Sequence, residues 1–132
     1  MNSQLSGMRV LVVEDETLVA ILLEDMLTDL GCEVIGLAAR VGAAREMVER
    51  NKPDCVILDV NVGGEMVYPV AEMLEARGVP FVFVTGYSGK TVVPRFQTRP
   101  TLQKPFECDQ LRTVLSGLRV AAKGSGRRRK IH

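Results

Sequence analysis

The sequence is poor in the residues that bind zinc or form disulfides. Its 132 residues include three cysteines and a single histidine, and that histidine is the last residue of the chain. Cys32, Cys55 and Cys108 are widely spaced, odd in number and form no Cys-x-x-Cys pair. The pattern therefore argues against a zinc site or a disulfide framework, and it favours reduced structural thiols in a cytoplasmic protein.

Long hydrophobic runs are also lacking. No apolar stretch approaches about 18 residues, and the chain does not open on a charged segment followed by an apolar one. We therefore expect neither a membrane span nor a secretory signal. Hydrophobic residues make up 46% of the chain and charged residues 25%, which is typical of one globular domain. A chain of this length buries enough surface to fold without disulfide or metal staples.

Positive charge is concentrated at the C-terminal end. The formal net charge is +1, but Lys123 and the run Arg127–Lys130 are all basic, so the body that precedes them is mildly acidic. A short basic run after a Gly-Ser-Gly linker is typical of a solubilising tail, and we expect neither a nucleic-acid nor a membrane partner. The predicted domain covers residues 8–122, with flexible ends at 1–7 and 123–132.

Short apolar runs alternate with amphipathic patterns along the chain. The predicted strands are Met8–Val13, Glu33–Ala38, Cys55–Asp59, Phe81–Thr85 and Thr101–Gln103. The predicted helices are Thr17–Leu30, Val41–Asn51, Pro69–Arg77 and a last helix that contains Leu111, Val114, Leu115 and Leu118. Glycines and prolines between Gly86 and Pro100 leave room for only a short, mobile helix between about Lys90 and Phe96. The alternation predicts an α/β fold with a doubly wound, five-stranded parallel sheet in the flavodoxin-like order 2-1-3-4-5.

Polar side chains follow four of the predicted strands. Glu14 and Asp15 follow the first, Asp59 ends the third, Thr85 ends the fourth and Lys104 follows the fifth. The carboxyl ends of parallel strands meet at one edge of the sheet, and strands 1 and 3 are neighbours in the predicted order. Three carboxylates placed together repel one another, and a divalent cation with oxygen ligands, such as Mg²⁺, relieves that repulsion.

The same group of residues predicts a chemistry. Asp15 and Asp59 could bind Mg²⁺ directly and Glu14 through water, and the backbone carbonyl of Asn61 could complete the ligand set. Lys104 supplies a mobile positive charge suited to a phosphoryl oxygen, and the Thr85 hydroxyl supplies one donor. A carboxylate nucleophile with a metal, an ammonium group and a hydroxyl suits phosphoryl transfer.

These positions resemble those of a known signalling family. Glu14-Asp15, Asp59, Thr85 and the run Lys104-Pro105-Phe106 resemble the receiver domain of bacterial two-component response regulators. The resemblance implies that Asp59 accepts a phosphoryl group from a phosphohistidine on a sensor kinase or phosphotransfer protein. It also implies that Glu14 and Asp15 hold Mg²⁺, that Lys104 contacts the phosphoryl group, and that Thr85 moves inward and switches the following loop. Such a protein is a cytoplasmic regulator rather than an enzyme.

Two departures narrow the resemblance. The family usually carries an aromatic switch residue three positions before the lysine, where this chain has Thr101. The run Phe83–Tyr87 is similar to that of the FATGUY subgroup, whose members are often single-domain and paired with kinases of the HWE or HisKA2 type. The signal would then depend on Gly86, Tyr87 or the ordering of residues 88–99. We expect the output to be the binding of another protein, through the apolar first helix or the segment 86–108.

Other interpretations explain fewer of these residues. A phosphatase of the haloacid-dehalogenase type uses an Asp-x-Asp motif, but Asp59-Val60-Asn61 lacks the second aspartate. A flavodoxin-like cofactor site would need a first turn that cradles phosphate, and Glu14-Asp15-Glu16 repels it. A phosphate-binding loop ending in Gly89-Lys90-Thr91 would need a glycine at position 84. An interaction module that works without phosphorylation stays open, and Glu16 is interpreted as capping the first helix.

Overall fold

The fold is described from a computed structural model over residues 5–86 and 92–118. This part of the chain contains seven strands and four α-helices. The strands are β1 (Arg9–Val13), β2 (Glu33–Ala38), β3 (Cys55–Asp59), β4 (Asn61–Val62), β5 (Glu65–Met66), β6 (Phe81–Thr85) and β7 (Thr101–Gln103). The helices are α1 (Thr17–Asp29), α2 (Val41–Asn51), α3 (Tyr68–Arg77) and α4, which is described over 108–118. No helix in these ranges has the length and apolar character needed to cross a bilayer.

The main sheet has five parallel strands in the order β2-β1-β3-β6-β7, which confirms the predicted architecture. The register aligns the strand ends that carry the polar residues. Val13 on β1 lies opposite Leu58 on β3, so Glu14 and Asp59 follow at the same level. Asp59 in turn lies opposite Val84 on β6, which places Thr85 one residue further along that strand.

Strand β3 lies at the centre of the sheet and is buried on both faces. Val56 and Leu58 enter a core that they share with α2 and α3, and Cys55 and Ile57 enter a second core with α1 and α4. Successive side chains of a strand point to opposite faces, so a strand covered on both sides must be apolar at every position. The unbroken apolar run before Asp59 therefore follows directly from its central position.

An antiparallel hairpin that the sequence reasoning missed follows β3. Strands β4 and β5 pair through a two-residue turn made by Gly63 and Gly64, whose φ angles are +59° and +85°. A tight hairpin turn of this kind requires positive φ at both central positions, which glycine adopts without steric cost. Each strand has only two residues, too few for an alternating pattern to be visible, but the Gly-Gly pair itself was a usable signal.

The chain ends differ from expectation where they can be described. Leu5 is fully buried and the Gly7 N–H donates to the Gly31 carbonyl at 2.8 Å, so the predicted flexible start over 1–7 is wrong for residues 5–7. Residues 1–4 and 119–132, including the predicted flexible tail, lie outside the described residues. After β6, a single 3₁₀ turn spans Pro94–Phe96, inside the predicted interval.

Candidate functional site

The first feature of the site is a group of three carboxylates at adjacent strand ends. Glu14, Asp15 and Asp59 each offer one carboxylate oxygen, and these oxygens all lie within 4.8 Å of one another. The Glu14 side chain is 1% exposed and that of Asp59 is 12% exposed, whereas Asp15 faces solvent. The parallel register of β1 and β3 brings the three residues together as the sequence predicted.

Glu14 is the most perturbed carboxylate of the group. Burial raises its pKa to about 7, and the nearby Asp59 carboxylate adds to this effect. The backbone N–H of Glu16, 3.1 Å from Oε2, acts in the opposite direction by favouring the charged form. The second oxygen, Oε1, is buried, and its charged neighbour at 3.1 Å is the Lys104 ammonium. A buried carboxylate oxygen without a hydrogen bond is costly unless a cation neutralises it.

Lys104 supplies a positive charge to the group. Its Nζ lies 3.0 Å from Asp59 Oδ2, 3.1 Å from Glu14 Oε1 and 3.2 Å from Glu16 Oε1. Burial by itself would lower the pKa of Lys104, but hydrogen bonds and charge interactions with Asp59 and Glu14 outweigh burial and raise that pKa above its usual value. The ammonium group is therefore charged throughout the physiological pH range.

Glu16 is a member of the site that the sequence interpretation missed. It is the N-cap residue of α1, as the sequence interpretation has it, although its side chain makes no capping hydrogen bond. The carboxylate instead accepts a hydrogen bond from Lys104, a residue 88 positions further along the chain. The chain has one signal for this role, since Glu16 follows β1 by only three residues.

The remaining predicted residues surround Asp59 at different distances along the strands. The Asn61 N–H donates to Asp59 Oδ1 at 3.2 Å, which fixes the carboxylate, while the Asn61 carbonyl as a metal ligand stays a prediction. Thr85 is 2% exposed at the end of β6, and its carbonyl accepts a hydrogen bond from the Lys104 N–H at 2.8 Å. This backbone bond ties the lysine to the strand that carries the threonine.

The structure describes three of the four predicted switch positions, Thr85, Gly86 and Thr101, which lie on or directly after β6 and on β7. Gly86 is exposed directly after β6, and Tyr87 lies outside the described residues. Thr101 is exposed on the edge strand β7, where its hydroxyl donates to the Arg99 carbonyl at 3.2 Å. The position that carries an aromatic ring in most of the family therefore presents a small polar side chain to solvent.

The donor set suits a hard divalent cation. Mg²⁺ prefers oxygen ligands and is usually bound through one or two carboxylates together with water and phosphate oxygens. Here two carboxylates with restricted exposure and one exposed carboxylate converge, and their oxygens lie within 4.8 Å of one another. The residues present therefore fit the ion that the chemistry of the site requires.

Fold and site together define a receiver domain. The family model described as the response regulator receiver domain matches residues 10–116, and the chain belongs to this family. Among solved structures, the chain is similar to SdrG from Sphingomonas melonis Fr1, with 47% identity and a TM-score of 0.78 over 88% of this chain and 98% of that one. A structure of SdrG from Pseudomonas melonis Fr1 in its BeF3-activated conformation is 45% identical, with a TM-score of 0.74 over 86% of this chain and 97% of that one.

Curated relatives are regulators of the same kind. The transcriptional regulatory protein PdtaR of Mycobacterium tuberculosis is 35% identical over 107 residues, which are 78% of this chain and 52% of PdtaR. The phyllosphere-induced regulator PhyR of Methylorubrum extorquens is 30% identical over 131 residues, which are 93% of this chain and 47% of PhyR. The chain thus spans about half the length of these relatives. It is a receiver domain of two-component signalling.

Proposed function

We propose that Asp59 accepts a phosphoryl group from a phosphohistidine in the presence of Mg²⁺, and that this modification switches the binding of another protein. The observation that carries the proposal is the convergence of four groups at one edge of the sheet. Glu14, Asp15 and Asp59 lie within 4.8 Å of one another, and the Lys104 ammonium lies 3.0 Å from Asp59. The BeF3-activated conformation known for SdrG supports the same type of reaction.

The residues have distinct roles in the proposed transfer. A carboxylate oxygen of Asp59 attacks the phosphorus, the P–N bond to the donor imidazole breaks, and the imidazole nitrogen keeps the electron pair and takes up a proton from solvent. The Asn61 N–H and the Lys104 ammonium hold the Asp59 carboxylate in place through its two oxygens. When bound by Glu14, Asp15 and Asp59, Mg²⁺ supplies positive charge that balances the charge of the phosphoryl oxygens.

After transfer, Lys104 exchanges one partner for another. It pairs with Asp59 while that carboxylate is free, and it contacts a phosphoryl oxygen once the carboxylate is phosphorylated. The backbone N–H of Lys104 donates a hydrogen bond to the Thr85 carbonyl, so a shift of the lysine would displace the end of β6. The Thr85 hydroxyl is proposed to donate to the phosphoryl group from that strand end. The cytoplasmic location and a kinase of the HWE or HisKA2 type stay predictions.

Intact mass spectrometry tests the proposal directly. After incubation with acetyl phosphate and Mg²⁺, the protein should carry one phosphoryl group, and removing Mg²⁺ with a chelator should prevent the modification. Some receivers accept phosphate only from a protein donor, so a phosphorylated histidine kinase is the second donor to use. Absence of the adduct with both donors would overturn the proposal and favour an interaction module that works without phosphorylation.

The raised pKa of Glu14 predicts a pH dependence of metal binding. Mg²⁺ binds the carboxylate form, and the apo site holds a proton on Glu14 below a pKa of about 7. The Mg²⁺ affinity should therefore fall as the pH drops below about 7, by up to about tenfold per pH unit. Calorimetric titration of wild type and Glu14→Gln measures this; the variant should bind more weakly and lose the dependence between about pH 6 and 8. A flat wild-type profile would contradict the prediction.

The stability of the metal-free protein should depend on pH in the opposite direction to the Mg²⁺ affinity, because protonated Glu14 favours the folded state. The pKa of Glu14 is higher in the folded protein than its ordinary value of 4.5, so the folded state binds more protons than the unfolded state between pH 4.5 and about 7. The contribution of Glu14 to the free energy of unfolding of the metal-free protein therefore decreases as the pH rises through this interval.

The partner of this reaction needs a docking surface, and α1 offers an apolar one beside the site. Leu18, Ile21 and Leu22 are 77%, 45% and 56% exposed, so the apolar pattern of this helix is only partly used by the core. Leu22 also lines a groove of about 160 Å³ together with Pro105 and Phe106, which follow Lys104. We propose that the kinase or phosphotransfer protein covers this surface during transfer.

A substitution in α1 should separate transfer from the chemistry at Asp59. Leu22→Glu places a charge in the apolar groove, and we expect phosphorylation by the cognate kinase to slow by about tenfold or more, as for the loss of an interface hot spot. Phosphorylation by acetyl phosphate should stay at the wild-type rate, because Leu22 is exposed on α1 and the acidic group consists of Glu14, Asp15 and Asp59. Leu37→Glu is the matched control, since Leu37 is 38% exposed on the opposite edge strand β2. Equal slowing in both variants would contradict the docking assignment.

A further inference from the structure

Tyr68 connects the strand that ends at Thr85 with the segment that follows it. The half-buried ring stacks on Phe96, with centroids 5.7 Å apart and planes inclined by 3°, and it meets Phe83 edge to face at 6.0 Å. Phe83 lies on β6 two residues before Thr85, and Phe96 lies in the 3₁₀ turn beyond it. Tyr68 thus contacts residues on both sides of the predicted switch positions Thr85 and Gly86: Phe83 before them and Phe96 after them.

The Tyr68 hydroxyl also holds the backbone of the second side. The Val93 N–H donates to Tyr68 Oη at 3.1 Å, just before the 3₁₀ turn begins. Phe96 is 1% exposed and therefore anchors the turn in the core, whereas Val93 is 38% exposed. The hydroxyl is thus a specific contact on an otherwise exposed stretch of backbone.

Charged contacts hold the same segment further along α3, but in a different way. Arg95 pairs with Glu72 and Glu75 at 2.9 and 2.7 Å, and Arg99 pairs with Glu75 at 2.5 Å. The side chains of these pairs are 33–54% exposed, so each pair contributes little and is screened by salt. Tyr68 differs from these pairs in that its contacts are a ring stack and a backbone hydrogen bond, and its ring also meets Phe83 on β6.

A second path leads from Asp59 to Tyr68 along the chain. The Asn61 N–H is bonded to Asp59, and the Asn61 side-chain oxygen accepts from the Gly64 N–H at 3.2 Å, which fixes the hairpin turn. The hairpin then returns to the sheet, where the Val67 N–H donates to the Val60 carbonyl at 2.9 Å. Tyr68 is the next residue. A change at the Asp59 carboxylate can therefore reach Tyr68 through the hairpin as well as through β6.

We propose that Tyr68 is the positioning residue that holds segment 92–97 in the resting state of the receiver and releases it when Asp59 is phosphorylated. This inference rests on the proposed function of Asp59 and assigns its switch to a residue on α3. Strand β7 offers no alternative aromatic ring, because its three residues are Thr101, Leu102 and Gln103. The Thr101 hydroxyl donates to the nearby Arg99 carbonyl. Lys104 is paired with the Asp59 carboxylate in the same structure, and we assign the Tyr68–Val93 contact to the state in which that pair is made.

The resting contact makes a reciprocal prediction. If activation breaks the Val93 bond, removing that bond in advance must favour the activated state and tighten the binding of an activating ligand by the same factor. Tyr68→Phe keeps the stacked ring and removes the hydroxyl. We expect it to increase the affinity for BeF₃⁻ in the presence of Mg²⁺ by about two- to tenfold, the range that one net hydrogen bond supplies.

Amide hydrogen exchange of the full chain, with and without Mg²⁺ and BeF₃⁻, is the second readout. In wild type, exchange at residues 92–97 should become faster when BeF₃⁻ binds. In Tyr68→Phe it should already be fast without BeF₃⁻ and change little on binding. Thr101→Val is the matched comparison, since it also removes a hydroxyl beside an exposed backbone, and it should behave as wild type in both measurements.

The possible outcomes distinguish a failure of the proposed function of Asp59 from a failure of the proposed role of Tyr68. A wild-type protein that does not bind BeF₃⁻ would overturn the proposed function of Asp59 and this inference with it. A wild type that binds, with a Tyr68→Phe variant of unchanged affinity and unchanged exchange, would overturn the role of Tyr68 alone. Equal effects in Thr101→Val and Tyr68→Phe would assign the switch to the edge strand and also overturn the inference.

Discussion

Asp59→Asn should abolish phosphorylation by acetyl phosphate and by the cognate kinase while leaving the fold intact. The amide is nearly the same size as the carboxylate, so the hydrogen bond from the Asn61 N–H to the side-chain oxygen can be retained. An amide oxygen carries no formal charge and is a poor nucleophile toward phosphorus. Intact mass spectrometry should therefore detect one phosphoryl adduct on wild type and none on the variant.

Asp54→Asn is the control for this experiment. Asp54 lies at the opposite end of the same strand, where its carboxylate accepts a hydrogen bond from the Arg9 N–H at 2.9 Å. The control removes one carboxylate from β3's other end and should be phosphorylated as wild type is. A phosphoryl adduct on Asp59→Asn at the wild-type level would show that another residue is the acceptor.

Lys104→Ala should have the largest effect on the site after the loss of Asp59. The substitution removes the cation that lies within 3.2 Å of Glu14, Glu16 and Asp59, and three carboxylates are left without it. We expect the free energy of unfolding of the metal-free protein to fall by about 1–3 kcal/mol, less than for a fully buried pair because the Lys104 side chain is 20% exposed. Chemical denaturation without Mg²⁺ measures this loss.

Magnesium should offset much of that loss. Lys104 and the ion compete for the same carboxylates, so the variant should bind Mg²⁺ at least as tightly as wild type and gain more stability from it. Phosphorylation of the variant should not, however, produce the change in affinity for the partner protein that we expect in wild type. Arg112→Ala is the control, since Arg112 pairs with Asp109 on the surface of α4 and contributes little. Weaker Mg²⁺ binding in Lys104→Ala would contradict the competition.

The fold could be predicted from the sequence because its strongest signals are local. The five strands of the main sheet and their order follow from apolar runs that alternate with helical patterns. Gly31, directly after the C-cap of α1, has a φ of +91°, a conformation that favours glycine at the end of a helix. The hairpin of β4 and β5 was missed because two-residue strands carry no period. The packing of Leu5 was missed because a single apolar residue before the first strand has no local pattern.

The site was predictable to the extent that its residues sit at strand ends. Asp59 and Glu14 come together through the register of β1 and β3, which the strand order implies. The contact of Lys104 with Glu16 was not predictable, because it depends on the side-chain conformations of residues far apart in sequence. The ring stack of Tyr68 was hidden for the same reason, since in sequence Tyr68 is an isolated aromatic at a helix start.

Asp59 and Lys104 are carried by strands of the sheet that differ in how many neighbours they pair with. Strand β3, which carries Asp59, is paired on both sides, whereas the three-residue strand β7 before Lys104 is paired only with β6. An edge strand this short has few stabilising contacts, so we expect it to open more readily than the central strands. We therefore expect the carboxylates to meet before the lysine reaches them during folding. A dissolved divalent cation would then relieve their repulsion at that moment, and so act as an assembly factor for the domain as well as a cofactor of its reaction.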